Sequence, residues 1–230
     1  MIKAKIRNLF EVMVLARSDS RGNNSKELIL KKAIEIILEE DLNALSARKL
    51  AKALNMTATN IYNYYDSKTE IIYAVKNYGF KMLKKDMLDR YESEEDPLTN
   101  IHNFISGYVA FAMNNRKIYN IMFDEELNDY IHYREDSPIF GYSFLMADDS
   151  AKRKIRFPQE IIDTVDKAKK NNPRISDTDT YNLVLKLFVS LHGLITVYNN
   201  DLLAAFEIND LLFIKDYVDF LSRPYNFYTK

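Results

Sequence analysis

The sequence contains no cysteine among its 230 residues. This absence excludes disulfide bonds, thiolate catalysis and cysteine-based zinc fingers, and it is typical of a protein of the reducing cytoplasm. Glycine and proline are scarce, with five residues of each. Nowhere do β-branched runs alternate with polar residues between glycine-rich turns. An all-α fold is therefore predicted.

Histidine is almost as rare, and the three copies lie far apart, at His102, His132 and His192. None has a second ligand at a helical metal spacing such as His-x-x-x-His, so no metal site is predicted. No serine lies in a nucleophile elbow, and no glycine-rich loop is available to cradle a phosphate. The sequence thus predicts neither an enzyme nor a bound cofactor.

The net charge of −1 is distributed unevenly along the chain. Residues 1–85 hold 16 Lys and Arg against 9 Asp and Glu, a net charge of +7, and the remainder holds 16 against 24, a net charge of −8. A basic N-terminal part with an acidic body suits a protein that binds nucleic acid through one domain. Solvated helix faces produce similar imbalances, so the charge division needs support from a motif.

That motif lies in residues 46–68, SARKLAKALNMTATNIYNYYDSK, which read as two short helices joined by a tight turn. Ser46 is suited to cap the first helix, and Asn55 tolerates the left-handed backbone conformation that ends it. Thr57 is a good cap for the second helix. We predict a helix-turn-helix. Three residues of its second half are expected to point inward: Met56, Ile61 and Tyr65.

The outward side of the second helix is suited to contact DNA. Small and amide side chains can approach base edges, whereas hydroxyl and ammonium groups suit phosphate oxygens. The first kind comprises Ala58, Thr59, Asn60 and Asn63. The second kind comprises Tyr62, Tyr64 and Lys68. Two alternatives remain open: Asn60 touches phosphate instead of a base, and the two tyrosines only pack between helices.

Over about Lys26 to Tyr78 the sequence resembles the DNA-binding domain of the tetracycline-repressor (TetR/AcrR) family. The matching pieces are Leu50-Ala51, Asn55-Met56-Thr57, Ile61-Tyr62-Asn63-Tyr64-Tyr65 and Ser67-Lys68. Asp41 and Asn55 stand where the family usually has glycine, and Tyr64 and Tyr65 stand where histidine and phenylalanine are common. Asp and Asn are the next best residues for those backbone shapes, and the aromatic character is kept.

The resemblance implies a homodimeric transcriptional regulator without enzymatic activity. Its two recognition helices would bind successive major grooves of a near-palindromic operator in double-stranded DNA. The resemblance also implies that Arg48 reaches a base edge, while Lys49 and Thr57 join Tyr62, Tyr64 and Lys68 in holding the DNA backbone.

We expect three regions along the chain. Residues 1–24 form a flexible arm, residues 25–70 a three-helix DNA-binding domain, and residues 71–230 a larger helical ligand-binding and dimerisation domain that begins with a connecting helix over 71–91. The arm lacks the shape of a signal peptide, so we expect a cytoplasmic protein that is not bound to a membrane. The arm either adds basic residues to the minor groove or is a disordered extension, with Met13 as an alternative start.

Five further helices are predicted, separated by prolines or by Asn/Asp clusters. They run from about Leu98 to Asn115, Lys117 to Leu127, Pro158 to Lys170, Asp177 to Asn199 and Glu207 to Ser222. The segment from Asn128 to Phe157 is irregular and is expected to be a long connection or part of a pocket lid.

Phe188-Val-Ser-Leu-His192-Gly193 resembles the Trp-x-x-x-His-Gly signature of a C-terminal ligand-binding domain that often accompanies TetR-type DNA-binding domains. This resemblance implies that His192 faces a small-molecule pocket. The alternative is a core histidine beside a glycine at which helices cross. Phe188, Tyr108, Tyr119 and Met122 are candidates to line the pocket, or else they are only core residues.

The last two predicted helices carry apolar residues on more than one side, which indicates burial against a second subunit as well as against their own domain. The resemblance implies a four-helix dimer interface there. The sequence therefore favours a homodimeric repressor released by a small apolar or aromatic ligand. The alternative is a DNA-bound architectural protein of the same shape that recruits a partner and senses no ligand; a cavity in the C-terminal domain would discriminate between them.

Overall fold

The computed structural model describes residues 21–93, 95–123, 157–170 and 179–223. Within these residues all regular structure is helical, which confirms the all-α prediction. The α-helices are α1 Arg21–Glu39, α2 Ala47–Leu54, α3 Ala58–Tyr62, α4 Lys68–Leu88, α5 Pro97–Asn114, α6 Arg116–Phe123, α7 Gln159–Lys170, α8 Thr180–Asn199, α9 Leu202–Ala205 and α10 Asp210–Ser222. A short 3₁₀ helix, Leu42–Ala44, connects α1 to α2.

The described residues form two compact units. The first unit contains α1, α2, α3, α4 as far as Phe80, and α6 from Lys117. The second unit contains α4 from Lys81, α5, and α7 to α10. The first unit therefore continues past residue 70, where we expected the DNA-binding domain to end.

The core of the first unit begins with one face of α1, on which Ile29, Ala33, Ile34 and Ile37 are fully buried. These positions recur at intervals of about one helical turn, so that they form the apolar stripe of an amphipathic helix. The carbonyl groups at the end of α1 lack partners within the helix. Lys117 of α6 supplies one, since its Nζ donates to the Leu38 oxygen at 3.1 Å.

Gly79 of α4 allows α6 to pack closely in the first unit. A β-carbon at this position would lie 2.5 Å from Sδ of Met122 and 2.9 Å from Cγ2 of Ile118. Beside this crossing, the rings of Phe80 and Phe123 meet edge to face with 5.6 Å between their centroids. The absence of a side chain at Gly79 thus allows α6 to pack against α4 within this unit.

Three helices of the second unit, α5, α8 and α10, begin at side-chain caps. The Asp96 carboxylate accepts from the backbone nitrogens of Leu98 and Thr99, both at 3.1 Å, and Pro97 occupies the first turn of α5. Asp179 caps α8 and Asn209 caps α10 in the same manner. The last helix therefore starts at Asp210 and not near Glu207.

Of the described helices, only α8 is long and apolar enough to cross a membrane by length and composition. Its side chains at Leu183, Val184, Leu187 and Leu191 are buried in the second unit. A core helix of a helical domain passes the same test of composition, and the buried face of α8 fits that explanation.

Several expectations fall on residues outside the described part of the chain. These are the arm over residues 1–20 with Met13, the irregular segment before Phe157, the end of the helix predicted to reach Leu127, and His132.

Candidate DNA-binding surface and apolar cavity

The turn between α2 and α3 has the backbone conformation and the caps that the sequence predicted. Oγ of Ser46 accepts from the Lys49 nitrogen at 3.2 Å. Asn55 ends α2 in the left-handed conformation, with φ 53° and ψ 44°. Oγ1 of Thr57 accepts from the Asn60 nitrogen at 3.1 Å and starts α3. These three local interactions fix the angle at which α3 leaves α2.

Two of the three residues predicted to point inward are buried, Ile61 completely and Tyr65 almost so, while Met56 is only half-buried. The Tyr65 hydroxyl donates to the Lys26 oxygen at 3.1 Å, and Nζ of Lys26 lies 5.0 Å from the centre of the Tyr65 ring. Burial, with a smaller contribution from Glu70, raises the pKa of the Tyr65 phenol well above its usual range. The end of the helix-turn-helix is thus tied to the beginning of α1.

The side of α3 opposite this core is open. Thr59, Asn60 and Asn63 are exposed, as are Thr57, Tyr62 and Lys68, whereas Ala58 and Tyr64 are half-buried. Nδ2 of Asn63 donates to Oδ1 of Asn60 at 3.3 Å. This hydrogen bond joins two adjacent amide side chains on the exposed face of the helix. The partial burial of Tyr64 leaves both of its predicted roles, phosphate contact and packing, compatible with its position.

The two basic residues near the start of α2 differ in their environment. Arg48 is exposed, and no carboxylate in the described part of the chain pairs with it. Lys49 is half-buried, and its ammonium group pairs with the Glu40 carboxylate at the end of α1. A phosphate would have to replace Glu40 as the partner of Lys49, whereas Arg48 is free to reach outward.

The start of α4, where Lys68 lies, is held by a reciprocal set of bonds. Oγ of Ser67 accepts from the Glu70 nitrogen at 3.1 Å, and Oε2 of Glu70 accepts from the Asp66 nitrogen at 2.5 Å. This arrangement resembles a capping box, in which side chains satisfy the free donors of the first turn. The backbone at Lys68 is therefore fixed while its side chain stays exposed.

The second unit contains a small apolar cavity of about 20 Å³, which is enough space for about one water-sized molecule. Its lining consists of Met87, Phe104, Ile105, Tyr108, Phe157, Ile161, Val184, Leu187, Phe188 and Leu191. Two of the predicted ligand contacts, Tyr108 and Phe188, are among them. The other lining residues were not predicted from the sequence. The four lining residues on α8 nevertheless share one helix face, at the spacing i, i+3, i+4 and i+7.

His192 lies next to this cavity and does not line it. Its ring stacks on Phe188 with 6.1 Å between the centroids and 15° between the planes. The ring of Phe188 in turn meets Tyr108 edge to face at 6.2 Å. Partial burial lowers the pKa of His192, so the imidazole is neutral at physiological pH. Gly193 is exposed, and a β-carbon there would have no neighbour within 4 Å in the described residues.

Tyr119 and Met122, which the sequence suggested as pocket residues, lie outside the lining of this cavity. Both are buried in the first unit, where Tyr119 packs against Phe123 at 4.8 Å and Met122 fills the space beside Gly79. The sequence placed them in the second domain because α6 follows α5 directly. The unit that a helix joins depends on its packing partners. The partner of α6 is the part of α4 around Gly79, which is distant from α6 in sequence.

Two capped helices joined by a left-handed turn, with the second helix exposed, define a helix-turn-helix DNA-binding domain. Residues 29–75 match the family model of the bacterial regulatory proteins of the tetR family. This match covers the first unit from α1 into α4, and it supports a TetR-family DNA-binding transcriptional regulator. No curated protein sequence matches the chain.

Solved structures share the fold over most of the chain. The regulatory protein SCO4313 aligns with a TM-score of 0.58 and 15% identity, over 87% of this chain and 96% of its own. A protein of unknown function from Rhodococcus sp. RHA1 aligns with a TM-score of 0.58 and 16% identity, over 90% and 96%. The TetR family transcriptional regulator PfmR from Thermus thermophilus aligns with a TM-score of 0.50 and 16% identity, over 85% and 97%. Identities this low establish the shared fold alone.

Proposed function

We propose that the protein is a cytoplasmic, homodimeric transcriptional repressor that binds a near-palindromic operator and is released by a small apolar or aromatic ligand. The observation that carries the proposal is the recognition helix α3, which is capped at its start, anchored by Ile61 and open on its other side. This geometry allows α3 to enter a major groove.

The proposed contacts divide into two kinds. Base edges are contacted by Arg48 on α2, by Thr59 and Asn60 on α3, and by Asn63, the residue that caps the end of α3. Ala58 lies beside Thr59 and Asn60, and its small side chain allows the backbone of α3 to approach the bases. Lys49, Thr57, Tyr62, Tyr64 and Lys68 hold the phosphate backbone. The pairing of Lys49 with Glu40 reduces its contribution, because the ammonium group must exchange one carboxylate for a phosphate.

Exposed apolar side chains on α8 and α10 support the proposed dimer. Val189 of α8 is 61% exposed, and Leu211 and Leu212 of α10 are 70% and 59% exposed. Gly193 leaves the surface of α8 open beside Val189. Apolar side chains this exposed on two long helices favour burial against a second copy of the chain. A two-fold dimer would present two recognition helices to one operator.

The cavity in the second unit supports an apolar effector, because its lining carries no charged side chain. Met87 of α4 is part of that lining, and α4 contributes residues to both units. A ligand that displaces Met87 would act on a helix that also belongs to the DNA-binding unit. Release requires that the ligand bind the DNA-free conformation better than the DNA-bound one.

The size of the cavity favours a second candidate, a DNA-bound protein of the same shape that recruits a partner and senses no ligand. At about 20 Å³ the cavity is far smaller than the several hundred Å³ of ordinary ligand pockets. An effector would have to move aromatic side chains such as Phe157 and Phe188 to enter. A panel of small aromatic compounds that leaves both thermal stability and operator affinity unchanged would favour this second function.

The experiment for the regulator itself is a footprint on the DNA that flanks the protein's own gene. Inverted repeats found there are tested with purified full-length protein at moderate salt. We expect symmetric protection of two half-sites whose centres lie about one helical turn apart or somewhat more, about 34–36 Å as a minimum. Binding no tighter than to unrelated duplex DNA would refute the proposed function, and protection of one half-site only would refute the dimer.

A further inference from the structure

We infer that α3 reads adenine·thymine base pairs, with Asn60 and Asn63 acting as one hydrogen-bonded pair on the major-groove edge of adenine. This inference rests on the proposed function and adds the base composition of the operator. It follows from the chemistry of the exposed face of α3 and from the hydrogen bond between the two amides.

The first observation is the absence of charge on the recognition helix. Residues 57–65, TATNIYNYY, contain no Lys, Arg, Asp or Glu. Guanine is usually read by a bidentate Arg or Lys that donates to O6 and N7, and cytosine is read by a carboxylate that accepts from N4. The helix carries neither group. Its exposed polar side chains are amides and hydroxyls, and amides are the usual partners of adenine.

The second observation is the hydrogen bond from Nδ2 of Asn63 to Oδ1 of Asn60, at 3.3 Å. This bond uses one donor of Asn63 and one lone pair of Asn60. It leaves Nδ2 of Asn60 as an outward donor and Oδ1 of Asn63 as an outward acceptor. The pair therefore presents both kinds of group, held at a fixed spacing by their positions one helical turn apart.

Adenine is the base whose major-groove edge matches such a pair. It offers an acceptor at N7 beside a donor at N6, whereas guanine offers two acceptors. The outward oxygen of Asn63 would face a guanine acceptor without a proton between them, which disfavours guanine. The methyl group of the exposed Thr59 adds an apolar contact for the thymine methyl.

Arg48 differs from the residues of α3 in the base that it is suited to read. It lies on α2, is exposed and pairs with no carboxylate of the described residues. An arginine that can reach a base edge prefers guanine. Each half-site should therefore contain adenine·thymine pairs where α3 lies, and any strongly preferred guanine should depend on Arg48.

The experiment selects bound sequences from randomised duplexes with the full-length protein at one fixed salt concentration. The selection is repeated with Asn60→Ala, Asn63→Ala and the matched control Asn43→Ala, which changes an exposed asparagine of the 3₁₀ helix Leu42–Ala44. Positions whose preference changes in the first two variants, and not in the control, are assigned to α3. Thermal denaturation of each variant verifies that it is folded.

We expect adenine at the assigned positions. Replacing that adenine with 7-deazaadenine removes the N7 acceptor and leaves the N6 donor, so it should weaken binding by part of the roughly 5- to 150-fold that a complete bidentate base contact is worth. The change to 7-deazaadenine should reduce the affinity of the Asn60→Ala variant much less, because that variant has already lost the Nδ2 donor that bonds to N7. The variant that carries both Asn60→Ala and Asn63→Ala should lose less affinity than the product of the two single fold-losses, since the two side chains act as a pair.

Three outcomes are distinguishable. Adenine at the assigned positions, with sensitivity to 7-deazaadenine, supports the inference. A specific inverted repeat with guanine at those positions, or insensitivity to 7-deazaadenine, overturns the inference and leaves the regulator intact. Selection of no sequence above background by the wild-type protein overturns both the inference and the proposed function.

Discussion

Gly107 of α5 packs directly on the backbone of Asp86 in α4, where an added β-carbon would lie 2.3 Å from the Asp86 carbonyl oxygen. The same carbon would lie 2.7 Å from Cα of Met87, a residue that lines the apolar cavity. Backbone atoms cannot rotate out of the way as a side chain does. The contact therefore fixes the distance between α4 and α5 within the second unit.

We predict that Gly107→Ala destabilises the protein by about 1–3 kcal/mol, the usual cost of forcing extra volume into a packed core. Urea unfolding followed by circular dichroism measures it. Gly193→Ala is the matched control, because no neighbouring helix in the described part of the chain lies within 4 Å of the added carbon. That variant should gain up to about 1 kcal/mol from the better helix propensity of alanine. Equal effects of the two substitutions would contradict the close contact at Gly107.

Asp41 adopts a backbone conformation that glycine prefers, with φ 136° and ψ 171°. Such a conformation costs a residue with a side chain about 1–3 kcal/mol. The Asp41 carboxylate lies 3.9 Å from Nζ of Lys117, an exposed ion pair worth at most about 1 kcal/mol. We therefore expect Asp41→Gly to stabilise the first unit by about 1 kcal/mol, measured by chemical denaturation.

Asn55→Gly provides the comparison for Asp41→Gly. Asn55 has φ 53° and ψ 44°, a left-handed conformation that asparagine tolerates well. Its replacement by glycine should change the free energy of unfolding by only a few tenths of a kcal/mol. A loss of stability in Asp41→Gly would mean that the Lys117 pair outweighs the backbone strain.

The caps and the turn of the helix-turn-helix were predictable from sequence because they depend on neighbouring residues. Ser46 and Thr57 each bond to a backbone nitrogen three residues ahead, and Asn55 supplies a local left-handed conformation. The unit to which Tyr119 belongs was not predictable, because α6 packs against α4 at Gly79, which is distant in sequence. The cavity lining is a similar case, since it combines residues of four helices and Phe157.

The ion pair between Lys49 and Glu40 is expected to weaken DNA binding. Glu40→Gln removes the competing carboxylate and should raise operator affinity, with the slope of log affinity against log salt becoming steeper by about 0.9 per added phosphate contact. Glu39→Gln is the control, because it makes the same change in net charge at an exposed neighbour. If both variants raise affinity equally, the effect is a general one of charge, and Lys49 is not released.

Arg48 and Lys68 should behave differently when each is replaced by alanine. Arg48→Ala should relax the preference at one symmetric base pair, at a cost of about 1–3 kcal/mol for the preferred base. Lys68→Ala should weaken all sequences alike and reduce the salt slope by about one per subunit. Titrations of operator and scrambled duplexes over a range of salt concentrations separate the two effects. A change of base preference in Lys68→Ala, with none in Arg48→Ala, would reverse the proposed roles.

His192 gives the second unit a predictable dependence of stability on pH. Burial lowers the pKa of its imidazole below the usual value of 6.5, so the folded protein binds the proton less readily than the unfolded chain. The contribution of the neutral imidazole to stability is then complete above about pH 6.5, and it is lost as the pH falls from there toward the lowered pKa.

His192→Gln should remove this dependence, since glutamine is polar and does not titrate. Urea unfolding at intervals between pH 8 and pH 5 measures the free energy of unfolding of both proteins. At pH 8 the variant should be somewhat less stable, because it loses the stacking contact with Phe188. The difference between the two proteins should shrink as the pH falls below about 6.5, where the wild-type protein alone incurs the cost of protonating a buried imidazole. A difference that stays constant over the whole range would show that His192 titrates alike in the folded and unfolded chains.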